Sequence, residues 1–270
     1  MRVRLPRVLA SAIALSLCAC GPTAVDDGGD DDSTVIPPSG TPPAKAKVYA
    51  HSDAELFEID PDDLDVRSVG SFAWPDDGYD SMTDIAINKA GTMVGISFDK
   101  VYVVNPATAK TTLLPDLDRS FNGMSFVPAQ EIDGTGAEVL VAAALDGSFY
   151  RLDPTTGNST PIGNYGSDMG SSGDVVSVAG FGTIATVTRP DSETDWLVRV
   201  DAATGRATPI GDTGVTGIWG LGFWENKVYG FTDANAFVLI DVQTGRAMAV
   251  EEGSVSWWGA GVTTSAPVIP

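Results

Sequence analysis

Histidine is almost missing from this chain: His51 is the only one among 270 residues. A Ser-His-Asp triad has that single imidazole to draw on, and no Gly-x-Ser-x-Gly elbow accompanies it. A histidine pair for zinc is excluded as well. Cysteine is nearly as scarce, with Cys18 and Cys20 both near the start of the chain. A bridge across one intervening residue is strained, so no stabilising disulfide is expected and a large core must do that work. Basic side chains are few, with 16 Lys and Arg against 36 Asp and Glu and a formal net charge of -20. Such a surface repels phosphate backbones and anionic headgroups, which argues against nucleic acid and against direct adsorption to lipid. Bilayer-spanning runs are missing too, since an apolar helix of ~20 residues is required.

What the N-terminus does carry is an address. Arg2, Arg4 and Arg7 precede a largely apolar stretch, Val8 to Leu17, which is the layout of a secretory signal. It ends in Leu17-Cys18-Ala19-Cys20-Gly21. This resembles a bacterial lipobox, with Leu17 at the aliphatic position, Ala19 at the small one and Cys20 as the modified residue. Cys18 in that role would put Leu17 where a small residue is expected. The resemblance implies a lipoprotein: residues 1–19 are removed and Cys20 carries diacylglyceryl and palmitate-type acyl groups. Several chains hold a protein firmly where one binds marginally. Gly21 after the cysteine, with no Asp there, implies sorting to the outer membrane.

Residues 20–44 then form an acidic, proline-rich tether, with Asp26, Asp27, Asp30, Asp31 and Asp32 and five prolines after Cys20. Such a stretch has nothing to bury and is extended by its own charge. Its spacing matches no EF-hand loop.

From residue 45 to 264 a unit recurs. Short strands of β-branched and aromatic residues run into Asp60-Pro61, Asn105-Pro106, Asp153-Pro154-Thr155-Thr156-Gly157, Asp201-Ala202-Ala203-Thr204-Gly205 and Asp241-Val242-Gln243-Thr244-Gly245. The carboxylate can accept N–H bonds from the next residues and the glycine takes a positive φ, so each is read as a hairpin turn. Positions 60, 105, 153, 201 and 241 are 45, 48, 48 and 40 apart. Between them lie strands rich in small residues, beginning at Asp84, Gly123, Asp174, Gly220 and Gly259. A period of 40–50 with several strands per repeat indicates an all-β propeller, and small residues suit the crowded axis. Five anchors and five inner strands predict five blades, with six as the alternative should one be disguised. The opening Val48-Tyr49-Ala50 lacks an inner strand before it, and Trp258–Thr263 lacks followers. The C-terminal strand is therefore expected to complete the first blade, leaving 265–270 as a tail.

The turns resemble those of quinoprotein-like and YVTN-type propeller repeats. The resemblance implies the fold but not dehydrogenase activity, since no Trp follows Gly157, Gly205 or Gly245 as it does in the quinoprotein enzymes. No catalytic residue emerges. His51 reads as an ordinary strand-end residue. For binding, the loops leading into the inner strands carry Tyr79, Phe121, Trp219, Trp257 and Trp258, flat surfaces able to stack on a sugar or peptide. For metal, Asp80, Asp84, Asp168 and Asp174 are the oxygen donors, with Ca²⁺ as the conceivable ion and no other cofactor expected. The expectation is a noncatalytic binding or scaffold module for protein, peptide or glycan outside the cell. The alternative is a propeller hydrolase or lyase, Ca²⁺-dependent or not.

Overall fold

In the computed structural model the described residues are 48–270, apart from 76, 77 and 135. The signal segment, Cys20 and the tether lie outside them.

Within each blade, short strands joined by turns pair antiparallel. The described residues open on β1 (Val48–His51), β2 (Glu55–Ile59) and β3 (Val66–Ser71). Four complete sheets follow. They are β4 (Asp84–Ile87) to β7 (Thr111–Asp116), β8 (Gly123–Val127) to β11 (Ser159–Asn164), β12 (Gly170–Val178) to β15 (Arg206–Asp212), and β16 (Ile218–Trp224) to β19 (Ala247–Glu252). The chain then returns as β20 (Gly259–Val262), which pairs with β1 in the register Val48 to Val262 and His51 to Gly259. The first sheet thus reads β20-β1-β2-β3, and the protein is a five-bladed β-propeller closed by its C-terminal strand. The inner strands β20, β4, β8, β12 and β16 neighbour one another around the ring.

Burial follows the position in the blade. Inner strands such as β4, β8 and β20 are buried throughout, and the outermost strands β3 and β7 are mostly half-buried or exposed. The core is a set of apolar layers between successive blades, one of them built on Tyr49, Leu56, Met82, Ile85 and Tyr102. Closure through β1 and β20 removes the open inner edge that would otherwise recruit another strand.

All five turns carry the expected geometry. The backbone N–H four residues after each anchor donates to the anchor's carbonyl, from Leu64, Ala109, Gly157, Gly205 and Gly245 at 2.7–2.9 Å. Each of these five residues has positive φ, including the non-glycines Leu64 and Ala109 in the decayed copies. The anchor side chain accepts from the N–H two residues on, as in Thr155 to Asp153 at 2.8 Å and Gln243 to Asp241 at 2.7 Å. The third and fourth strands of every blade also share a register shift, as at Phe149/Tyr150 and Leu197/Val198. Such bulges sharpen the twist.

That twist gives the turns a second role. It swings the outer strands across the rim, so the turn region of one blade meets the last strand of the blade before it. Asp118 N–H donates to the Gly157 carbonyl at 3.1 Å, and Ala207 N–H donates to the Tyr165 carbonyl at 3.0 Å. A methyl group on Gly157 would lie 1.9 Å from the Asp116 carbonyl oxygen. Glycine is required there by φ and by the neighbouring blade at once.

Candidate functional site

The innermost strands converge on the axis and carry there two acids and three glycines: Asp84, Gly123 and Gly259 at the start of β4, β8 and β20, Asp174 within β12 and Gly220 within β16. The glycines are there for space. A Cβ on Gly123 would sit 2.4 Å from the Gly173 carbonyl oxygen, and one on Gly220 would sit 2.6 Å from the Gly259 carbonyl carbon. The acids reach sideways and staple blades together. Asp84 accepts from Met124 N–H at 2.6 Å, and Asp174 from Leu221 N–H at 2.7 Å. Each also accepts from the N–H of the following residue, Ile85 or Val175.

Both carboxyls are fully buried and hydrogen-bond to each other, which requires a proton between them. Burial raises both well above the usual carboxylate range. Asp174 is raised further by the charge of Asp84, whereas Asp84 is the better supplied with backbone donors. His51 completes this polar plug. It closes β1 as a strand-end residue, as expected, yet it is fully buried. Its Nδ1 lies 2.8 Å from the Ser52 carbonyl oxygen, which makes Nδ1 the protonated nitrogen and leaves Nε2 without a partner. Burial pulls its pKa down to about 4, so the ring is neutral at physiological pH.

At the end of the axis where the chain enters its inner strands, a cavity of about 440 Å³ opens. Trp219 and Trp258 stand half-buried in its wall, and Phe121 and Trp257 lie deeper. Trp257 also packs edge-on against Phe57 and Phe231, with ring centroids 5.2 and 5.4 Å apart. Phe98, more than half exposed at the lip, faces Trp258 edge-on at 6.4 Å. The polar groups are Thr83, Asn122, Ser256 and Asp233. Asn122 Nδ2 donates to the Ser171 carbonyl at 3.3 Å, while its buried Oδ1 has no partner. Asp233 Oδ2 accepts from Trp219 Nε1 at 3.2 Å, which orients the indole.

The structure thus brings together Trp219, Trp257, Trp258 and Phe121 among the residues singled out in the sequence. Tyr79 stands apart, 74% exposed, its hydroxyl donating to Asp53 at 3.0 Å. Asp84 and Asp174 meet at the axis, but the other two acids do not join them. Asp80 accepts from Tyr102 at 2.6 Å and pairs with Lys100, and Asp168 pairs with Arg189 at 3.1 Å. Among the described residues, no group of three or more His, Cys, Asp or Glu is placed to hold a metal ion. Phe98 and Asp233 were not anticipated. They sit on the loops between second and third strands, which reach the same face as the loops into the inner strands.

No protein-family profile and no curated protein matches the sequence. Among solved structures, the chain is similar to one from a nidogen–laminin complex, with a TM-score of 0.50 at 8% identity over 83% of this chain and 100% of that one. It also aligns with an auxiliary nutrient binding protein from Bacteroides thetaiotaomicron, at a TM-score of 0.45 and 16% identity over 75% of this chain. The chain spans 53% of that protein. At these identities the likeness is one of fold alone.

Proposed function

We propose that this propeller is a noncatalytic binding module, exported and held at the outer membrane by lipid on Cys20, with its ligand received in the axial aromatic cavity. The observation that carries the reading is the cavity. Its volume of about 440 Å³ is that of a small-molecule or side-chain site, and its walls combine large apolar rings with a few convergent polar groups. Two of its indoles, Trp219 and Trp258, remain half-buried, whereas Trp257, deeper in the wall, is covered. Protein, peptide and glycan ligands all offer groups that fit such a surface. The tether would carry the mouth clear of the membrane.

A hydrolase or lyase is the second reading, favoured by the proton-sharing pair Asp84 and Asp174. Against it, both carboxyls accept backbone N–H bonds and are fully buried on the inner strands.

Thermal melting of the full-length protein against sugars, peptides, Ca²⁺ and EDTA separates the two. A ligand at ~100 times its Kd adds about 2.7 kcal/mol, which raises Tm by roughly 5–10 °C for a domain of this size. A shift abolished by Trp219→Ala with Trp258→Ala supports the module. A Ca²⁺-dependent shift that survives both changes moves the site to the acids.

A further inference from the structure

We infer that the group received in this cavity is an alkylated ammonium, of the kind carried by choline or by a trimethylated lysine. The inference rests on the cavity being the binding site. Three features select the chemistry. First, five of the nine residues lining the cavity are aromatic, and two of them, Trp219 and Trp258, present half-buried indoles. The faces of such rings carry negative potential and attract a cation directly. Second, the single ionisable residue in the lining is Asp233, and no basic residue shares the wall. Its carboxylate accepts from a neutral indole N–H, and none of the described Lys or Arg side chains forms an ion pair with it.

Third, the surroundings deepen that field. Asp195, buried close by, accepts from Ile218 N–H at 2.8 Å. Its pKa is raised by burial first and by the charge of Asp233 as well, so the two acids sense each other. The chain as a whole carries -20. A cation entering the mouth relieves this repulsion, whereas an anion adds to it.

The polar groups then decide which cation. A primary ammonium needs three acceptors when it leaves water, and a guanidinium needs more. The wall has acceptors on the Asp233 carboxylate, the free Oδ1 of Asn122 and the hydroxyls of Thr83 and Ser256, which donate to the carbonyls of Ile96 and Asp233 and keep their lone pairs, but five of its nine residues are aromatic. An ammonium whose hydrogens are replaced by methyl groups has no donors to satisfy and buries its methyls against the rings.

The test is tryptophan fluorescence titration of the full-length protein with choline, with an N-acetyl-trimethyllysine amide, and with 3,3-dimethylbutan-1-ol, the uncharged isostere of choline. The expected result is saturable binding of at least one cation, with the neutral isostere 10-fold or more weaker. Asp233→Asn, at the exposed lip, should weaken the cation 5-fold or more and leave the isostere unchanged. Whichever cation binds more tightly tells a free ligand from one displayed on a peptide. Equal binding of cation and isostere, with no effect of Asp233→Asn, overturns the inference and leaves a general apolar pocket. Absence of binding by all three also overturns it. In that case, cross-linking on intact cells that still requires Trp219 and Trp258 keeps the binding module standing, and cross-linking indifferent to them removes that as well.

Discussion

Replacing Asp174 by asparagine should change how stability depends on pH. The folded chain holds a proton between two buried carboxyls, and the unfolded chain releases it above the ordinary aspartate value of 3.8. Above that value the folded state therefore binds more protons than the unfolded state, and the slope of unfolding free energy against pH is negative. Stability attributable to the pair is full below pH 3.8 and declines as pH rises, until the folded pair gives up its proton. The steepest decline for one proton is about 1.4 kcal/mol per pH unit. Asparagine carries no such proton. It keeps one acceptor for the N–H of Leu221 or Val175 and loses the other, a fixed cost of about 1–3 kcal/mol for a buried donor left unmade. The readout is the slope and not the level. Urea denaturation of both proteins from pH 4 to 8 gives the difference between wild type and Asp174→Asn, in which the contributions of other groups cancel. That difference should shrink as pH rises. A difference constant with pH, or one that grows, would refute the shared proton.

Other perturbations separate turn, axis and wall. His51→Gln should remove an acid-side loss: with a folded value of about 4 against 6.5, the unfolded chain takes up a proton between those limits that the folded chain refuses. Relative to the variant, wild type should lose about 3 kcal/mol as pH falls through that window, by urea melts of both at pH 4 and 7. Gly157→Ala should cost at least about 2 kcal/mol more than Gly180→Ala, although both glycines have positive φ, because only Gly157 meets a backbone carbonyl of the preceding blade. Equal losses in calorimetry would mean that backbone conformation alone matters. Trp257→Ala should destabilise by about 3–5 kcal/mol as a core deletion, and Trp258→Ala by only about 1 kcal/mol. Similar losses would deny the distinction between packing and cavity wall.

Much of the fold was legible because propellers repeat and because their turns are local. An Asp that caps the N–H two residues on, followed by a residue at positive φ, leaves the same mark wherever it occurs, and Asp153, Asp201 and Asp241 carry it plainly. The inner strands were legible for a different reason: crowding at the axis admits little besides small side chains, so Gly123, Gly220 and Gly259 announce it. Two features were hidden. The register shift in the outer pair of every blade depends on pairing that a single strand does not reveal. The docking of turns on the preceding blade joins residues such as Gly157 and Asp118, whose meeting depends on the twist accumulated across a whole sheet.

The site was legible only by half, and the reason is again the distance over which its parts are assembled. Phe121, Trp257 and Trp258 lie on loops entering inner strands and Trp219 is the second residue of one, so a rule about the approach to the axis gathers them. Such a rule cannot divide them into wall and core: Trp257 is covered because Phe57 and Phe231 come from two other strands to meet it. It also passes over Phe98 and Asp233, which reach the same face from loops one strand further out. Asp233 is the residue that gives the cavity its sign of charge, and in the sequence it is one of 36 acids. What sets it apart is its place beside Trp219 Nε1, with Asp195 buried behind it and no cation opposite. Chemistry made from rings on four blades has to be read in three dimensions, whereas the ring that holds them can be read along the chain.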